Sequence, residues 1–437
     1  MKCLSLSIVQ LLIPHDDLTL LQNSLESETK RIKEAITKKE YRSVYALFEL
    51  PFDGAIKQAV QELALRKKQL QPSLLIIIGI GGSNSGTMAI QQALHGLLYN
   101  AQNDMKVYFA DSLDTLFTQS LYAIAEGQLK QNKEVLLVVV SKSGTTTETI
   151  ANLQLYATLL MHYKKNYKES LVIISDEGSP LITIARQNGI DYLIIPTMVG
   201  GRFSVFSPVG LFPLAMLNID IHALQKGAAL AIELAVKTSE NIASKSASLL
   251  FALYGKGYIM HDSFFFDSQL EAVGTWYRQL MGESIGKAVE QNDHIVRIGI
   301  TPTVSIGSTD LHSVGQLYLA GPHNRVTTFI SSRYKSKSSC FVPKNTVFSS
   351  LSPMISGKTY SEIMEAILKG TQQAYQKQNL PFMAIELPEI SAYYIGQLLQ
   401  WKMLEIVYLG ALFRINPFNQ PQVELYKEET RKILAHE

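Results

Sequence analysis

Residues 138–148 read VVVSKSGTTTE. Three valines close an aliphatic run suited to a buried strand, and the chain then breaks straight into hydroxyl-rich residues before opening a helix. Between 141 and 148 every residue except Gly144 carries a hydrogen-bonding or charged side chain. A strand that passes at once into a helix is the repeating unit of a parallel sheet. The same turn sets Ser143, Thr145 and Thr146, with their backbone N–H groups, around a helix N-terminus, where unpaired donors and the helix dipole favour an anion. No Walker pattern for purine nucleotides is present, so the expected anion is the phosphate of a small metabolite, with a phosphosugar first in line.

The alternation extends on both sides of this stretch. Short aliphatic runs at 73–78, 106–110, 134–140, 170–175 and 192–195 are strand candidates, and helix-like segments fill 87–99, 113–129, 148–163 and 180–188. Strands without polar alternation, separated by helices, imply a parallel sheet covered on both faces, with its sites at the carboxyl ends of the strands. Residues 223–255, rich in Ala, Leu and Lys, read as helix leading to a second lobe. Beyond it the pattern is less regular, with strands expected at 257–260, 325–331 and 382–387 and helices at 269–281, 360–378, 392–413 and 423–435. The expected organisation is an N-terminal segment (1–45), a first α/β lobe with the phosphate loop (46–235), a second α/β lobe (245–395) and a helical C-terminal segment (396–437).

A chain of 437 residues is long enough for two or three lobes. With 46% hydrophobic and 18% charged residues it reads as soluble and globular, and its net charge of +2 is too small to imply a nucleic-acid or membrane partner. Two cysteines, Cys3 and Cys340, make neither a disulfide framework nor a metal-ligand pattern. They point to a reducing compartment and hence a cytoplasmic location. The opening MKCLSLSIVQLLIP lacks a small-residue cleavage site and is expected to be an edge strand or helix. The apolar stretch 205–219 is interrupted by Ser207, Pro208 and Pro213 and is too short to span a bilayer.

The first strand ends in IIIGIGGSNSGT, where glycines allow a tight turn and close approach of a ligand. A dinucleotide-binding fingerprint fails on spacing, because Asn84 stands where the third glycine belongs, even though Asp111 ends the second strand. Alone, this turn is explained equally well as structure; two strands from SKSGTTTE it becomes a pocket wall. In VGGRFSVFSPVG two glycines precede Arg202 and let the backbone bring a guanidinium into a confined site. In MGESIGK, Glu283 sits between glycines at a helix end, where a carboxylate beside a cation suits a general base. GSTDLHSVGQ sets His312 between Asp310 and Gln316, although a lone histidine is more often structural. NPFNQPQVELYKEETRK brings Gln420, Glu424 and Lys427 to the opening of the last helix, where spacing alone does not single out Lys427.

In order along the chain, GIGGS, SKSGTTTE, GGRFSVFSPVG, GESIGK, STDLHSVGQ and FNQPQVELYK resemble the glucose-6-phosphate isomerase family, from about residue 75 to 427. The resemblance implies two sugar-isomerase (SIS) lobes, each a doubly wound parallel sheet, with a helical C-terminal segment. It implies interconversion of glucose 6-phosphate and fructose 6-phosphate by ring opening and proton transfer between C1 and C2, with no metal and no redox cofactor. By the same resemblance Glu283 is the base, Arg202 stabilises the enediolate, His312 and Lys427 open the ring, and Gln420 orients the substrate. The phosphate is expected on Ser141, Ser143, Thr145 and Thr146, with Lys142 near by and Gly82 and Ser83 alongside. In the family the histidine comes from the partner subunit, which implies a homodimer. The chain departs from the family pattern at Gln422, where glycine is usual, at Thr197, and in an atypical segment 288–304. A non-catalytic sugar-phosphate sensor would need the phosphate loop but not Glu283, His312 and Lys427. An isomerase that also accepts mannose 6-phosphate stays open.

Overall fold

The computed structural model describes residues 3–9, 12–237, 241–334 and 340–435. The outermost ends of the first and last expected segments, residues 1–2 and 436–437, lie outside the described residues. The strands in chain order are β1 (Ser5–Val9), β2 (Pro72–Ile78), β3 (Lys106–Ala110), β4 (Glu134–Val140), β5 (Leu171–Asp176) and β6 (Asp191–Ile195). They continue with β7 (Met260–Phe265), β8 (Lys287–Val289), β9 (Ile295–Ile298), β10 (Thr301–Ile306), β11 (Arg325–Tyr334) and β12 (Phe382–Glu389).

One five-stranded sheet has the order β3-β2-β4-β5-β6, and all its pairings are parallel. Its central strands carry aliphatic side chains on both faces. Leu75, Ile77, Leu136 and Val138 enter one hydrophobic core, and Leu74, Ile76, Leu137 and Val139 enter another on the opposite face. Each such buried side chain contributes about 1.5–3 kcal/mol. That two-sided burial is why these strands read as unbroken apolar runs. From β2 the chain steps outward to β3 and then back past β2 to β4, so the loops after β2 and β4 leave in opposite senses. The crevice between them is the switch point where a doubly wound sheet binds its ligand. GIGGS follows β2, and SKSGTTTE follows β4.

The second sheet has the order β1-β12-β11-β7-β10. It is parallel except at its edge, where β1 runs antiparallel to β12. The opening residues are thus an edge strand of this second sheet. The strand expected at 257–260 begins at Met260 and runs to Phe265. Its residues His261, Asp262 and Ser263 hid it, because polar side chains argue against a buried strand. In the fold they are buried, with internal partners at His261 (Thr328 Oγ1, 2.8 Å) and Asp262 (Ser305 Oγ, 3.0 Å). The helix expected over 223–255 is two helices, Ile221–Lys237 and Ile242–Tyr254. The second starts at Asn241, whose Oδ1 accepts the backbone N–H groups of Ala243 and Ser244 at 3.1 Å each.

Helix Ala392–Leu412 is buried from Tyr394 to Gly410, as expected of a helix that is apolar all round and lies inside the molecule. Helix Glu271–Ile285 packs against it. Across that contact Tyr277 donates to Glu405 Oε1 at 2.5 Å, and Lys402 Nζ lies 3.0 Å from the same oxygen. These groups are fully enclosed, so the contact fixes the rotation of the helix that carries Glu283. Among the described residues no helix is long and apolar enough to cross a membrane.

Candidate active site

The loop after β4 is organised by its own hydroxyls. Ser141 extends the ladder, its N–H donating to Ile174 O at 3.1 Å, and its Oγ accepts from the N–H of Gly144 at 3.2 Å. Thr146 Oγ1 lies 3.2 Å from Ser141 Oγ, and Thr145 donates to Ser143 Oγ through both N–H (3.3 Å) and Oγ1 (3.2 Å). Gly144 has φ +72°, a left-handed conformation that glycine adopts without strain. Helix Thr147–Tyr163 then begins, and no side chain caps its first turn. Ser143 and Thr145 are exposed at its mouth, while Lys142 is half-buried, with burial pulling its pKa down against the pull of Asp176. The loop therefore presents hydroxyls and helix N–H groups together, the donor set that holds a phosphate.

The turn after β2 does something different. A Cβ placed on Gly82 would lie 2.2 Å from Gly201 C and 2.4 Å from Arg202 N. The two glycine turns thus press backbone on backbone, and Ser204 Oγ, donating to Gly201 O at 2.7 Å, steadies the contact. GIGGS seats the arginine turn. Gly82→Ala must force the two backbones apart, with a stability loss of about 1–3 kcal/mol expected from overpacking. A lowered melting temperature with reduced activity is the predicted result; an unchanged melt would contradict this contact.

Arg202 is buried and uses its whole donor set. Nε donates to Ser284 Oγ (2.8 Å), Nη1 to Glu283 Oε2 (3.3 Å) and Gln420 Oε1 (2.7 Å), and Nη2 to the carbonyls of Pro417 (2.6 Å) and Asn419 (3.2 Å). A guanidinium has five N–H donors, so each has an acceptor. Burial, against the pull of Glu283, lowers its pKa to about 10, which leaves it a cation at neutral pH.

Glu283 takes its second bond from Gln279 Nε2 at 2.9 Å, one helical turn back, and Gln279 Oε1 accepts from Ser85 Oγ at 3.0 Å. The Arg202 side chain is 1% exposed and that of Glu283 is 31% exposed. The cation is therefore fixed inside, and the carboxylate opens outward from it. A carboxylate held between two donors, open on one side and beside a permanent cation, can exchange a proton with a bound molecule while the cation stabilises developing negative charge. Among the described residues no group of three His, Cys, Asp or Glu side chains is arranged to hold a metal ion.

The sequence profile of phosphoglucose isomerase matches residues 67–437. The chain belongs to the phosphoglucose isomerase family. It is therefore an aldose–ketose isomerase. Among its relatives, a glucose-6-phosphate isomerase of Carboxydothermus hydrogenoformans is 31% identical over 413 residues, covering 92% of this chain and 88% of that protein. The glucose-6-phosphate isomerase of Parabacteroides distasonis is 33% identical over 371 residues, covering 83% and 80%. In shape the chain is similar to a hypothetical protein of Thermus thermophilus (TM-score 0.87, 29% identity, 99% and 100% covered). It shares its fold with a glucose-6-phosphate isomerase of Chlamydia trachomatis (TM-score 0.80, 22% identity, 99% and 88% covered).

Of the residues expected in a phosphoglucose isomerase site, the fold joins Arg202, Glu283 and Gln420 directly, and sets Gly82 against Arg202. Within one chain neither His312 nor Lys427 forms a hydrogen bond or ion pair with that cluster. His312 is exposed at the end of the turn Thr309–His312, and Lys427 Nζ donates to Glu424 Oε1 at 2.8 Å on the surface of helix Val423–Leu434. Gln279, Ser284 and Lys287 enter the cluster without having been picked out from the sequence. The one signal was the place of Gln279 four residues before Glu283, a helical turn back; Ser284 and Lys287 offered none. Gln422 has φ −67° and ψ −21°, a conformation open to any residue, so the loss of the usual glycine places no strain on the last helix. Thr197 donates to Asp176 Oδ1 at 3.1 Å. The atypical segment opens as a β8–β9 hairpin and runs on into β10.

Proposed function

We propose that the chain interconverts glucose 6-phosphate and fructose 6-phosphate through a cis-enediol, with Glu283 as the base. The observation that carries this reading is the pairing of an outward-opening carboxylate with a buried, fully bonded guanidinium at the switch point of the first sheet. In the open-chain aldose Glu283 takes the proton from C2. The C–H electron pair becomes the C1=C2 bond, and O1 accepts a proton to become a hydroxyl. The hydroxyl at C2 then loses its proton, its oxygen becomes the ketose carbonyl, and the proton on Glu283 is delivered to C1. Arg202 offsets the negative charge on the enediolate oxygens from a fixed position, which needs no rearrangement at the moment of reaction. His312 and Lys427 move the protons of ring opening, and Gln420 orients the sugar. In heavy water, deuterium from the solvent is expected at C2 of glucose 6-phosphate formed from fructose 6-phosphate. Turnover with complete retention of the original hydrogen would favour a direct hydride shift and remove the role given to Glu283.

The phosphate sits on Ser141, Ser143, Thr145 and Thr146, with Lys142, Gly82 and Ser83 beside it. Each hydrogen bond to a charged group contributes about 1.5–3 kcal/mol. The pair Ser143→Ala and Thr146→Ala is therefore expected to raise KM for fructose 6-phosphate about 10-fold or more, with kcat changed far less. Equal KM in variant and wild type would move the phosphate elsewhere.

The working form is a homodimer in which His312 completes the partner's site. Two observations support it: His312 is exposed and unconnected to Glu283 in its own chain, and Val347, Phe348, Leu351 and Met354 present a largely exposed apolar strap ahead of helix Tyr360–Lys377. Mixed and re-exchanged Glu283→Gln and His312→Ala proteins, each inactive alone, are expected to regain about one quarter of wild-type activity, since half of a randomly paired population carries one intact site. The division into lobes at 46–235 and 245–395 is proposed on the two separate sheets. A cytoplasmic location is proposed on the sparse cysteines.

A further inference from the structure

Arg202 is accompanied by a second cation under the site. Lys287 opens β8 just beyond the helix that carries Glu283, and it is only 8% exposed. Its Nζ donates to the backbone carbonyl of Glu283 at 2.6 Å and to that of Asn419 at 2.7 Å. The first bond occupies an unpaired carbonyl at the helix C-terminus, where a cation is favoured. The second reaches the loop that presents Gln420 to Arg202, and the Asn419 carbonyl takes a further bond from Arg202 Nη2. The same loop is held from the far end of the hairpin, where Gln291 donates through its N–H to Arg414 O (2.8 Å) and through Nε2 to Ile415 O (3.1 Å). The stem of Lys287 is fixed in turn, because the residue pairs with Ile298 across the hairpin.

We propose that Lys287 is a positioning residue of the isomerisation: its ammonium ties the last turn of the catalytic helix to the 417–420 loop, holding Glu283 and Arg202 in reacting register. The proposal rests on the isomerase reading. It also gives the atypical hairpin a purpose, as the brace that carries this lysine. The charged groups facing Lys287 are Arg202, from the turn after β6, and Glu283, on its own preceding helix; the 417–420 loop offers it a carbonyl. Burial, reinforced by Arg202 and opposed by Glu283, brings its pKa down to about 8. As pH rises through that value the ammonium loses its charge and both bonds weaken, so kcat is expected to fall on the alkaline side.

The test is kcat and KM for fructose 6-phosphate across about pH 6 to 9.5 in the wild type, Lys287→Met and Lys287→Arg, with thermal melts of all three. Lys287→Met is expected to lower kcat about 100-fold, the effect of a small misplacement of reacting groups, with KM changed far less. Lys287→Arg, which keeps its charge throughout, is expected to recover most of the activity and to shift the alkaline limb upward. If the Met variant does not fold, the shift of the limb in Lys287→Arg decides alone. A folded Met variant with wild-type kcat, or an Arg variant with an unmoved limb, overturns the proposal while leaving the isomerase reading intact. A wild type inactive at every pH overturns both.

Discussion

Replacing Glu283 with glutamine is expected to reduce kcat by about 100- to 10,000-fold, the usual contribution of a positioned general base. The substitution preserves shape but removes the charge and the basic lone pair. Gln279 Nε2 and Arg202 Nη1 both donate to the carboxylate, one to each oxygen. A glutamine has one acceptor oxygen and can satisfy only one of them. The site therefore adjusts locally, but the loop after β4 belongs to a different sheet-to-helix turn and is untouched. Binding of fructose 6-phosphate measured by calorimetry should stay within a few-fold of wild type while turnover collapses. A variant with near-normal turnover would show that another group takes the proton.

Arg202→Lys has the second large expected effect, although it conserves charge. The guanidinium meets Ser284, Glu283, Gln420, Pro417 and Asn419 at once, and a lysine has three donors on one shorter-reaching nitrogen. At least two of these five hydrogen bonds from a charged donor are lost, each worth about 1.5–3 kcal/mol. The 417–420 loop keeps its tie to the helix through Lys287 but loses the one through Arg202, and the proposed enediolate loses a positioned counter-charge. A fall of about 100- to 1000-fold in kcat/KM is expected, together with a lower melting temperature. A variant that melts lower but keeps its kcat/KM would reduce Arg202 to a structural cross-link.

How much of this was legible in the sequence differs from element to element. β2 and β4 announce themselves because both faces are buried, so their apolar runs carry no competing signal. β7 does not, because His261 and Asp262 are compatible with a buried strand only when Thr328, Thr303 and Ser305 arrive from neighbouring strands. β8 and β9 are short and irregular, and the sequence offers no period for them. In the site, Arg202 stood out by the glycines that let its turn press on GIGGS, and Glu283 as a carboxylate between glycines at a helix end. Lys287 and Gln279 did not, since a lysine and a glutamine read as helix surface until the 417–420 loop and the GIGGS turn fold over them. His312 and Lys427 remain surface residues within one chain, and no local feature distinguishes them.

The most direct measurement is a coupled assay of the purified protein with fructose 6-phosphate, following the formation of glucose 6-phosphate without added metal or nucleotide. Sustained turnover that Glu283→Gln abolishes is the predicted result. Tight binding of fructose 6-phosphate with no turnover in the wild type would contradict the account, leaving a sugar-phosphate sensor built on an isomerase scaffold.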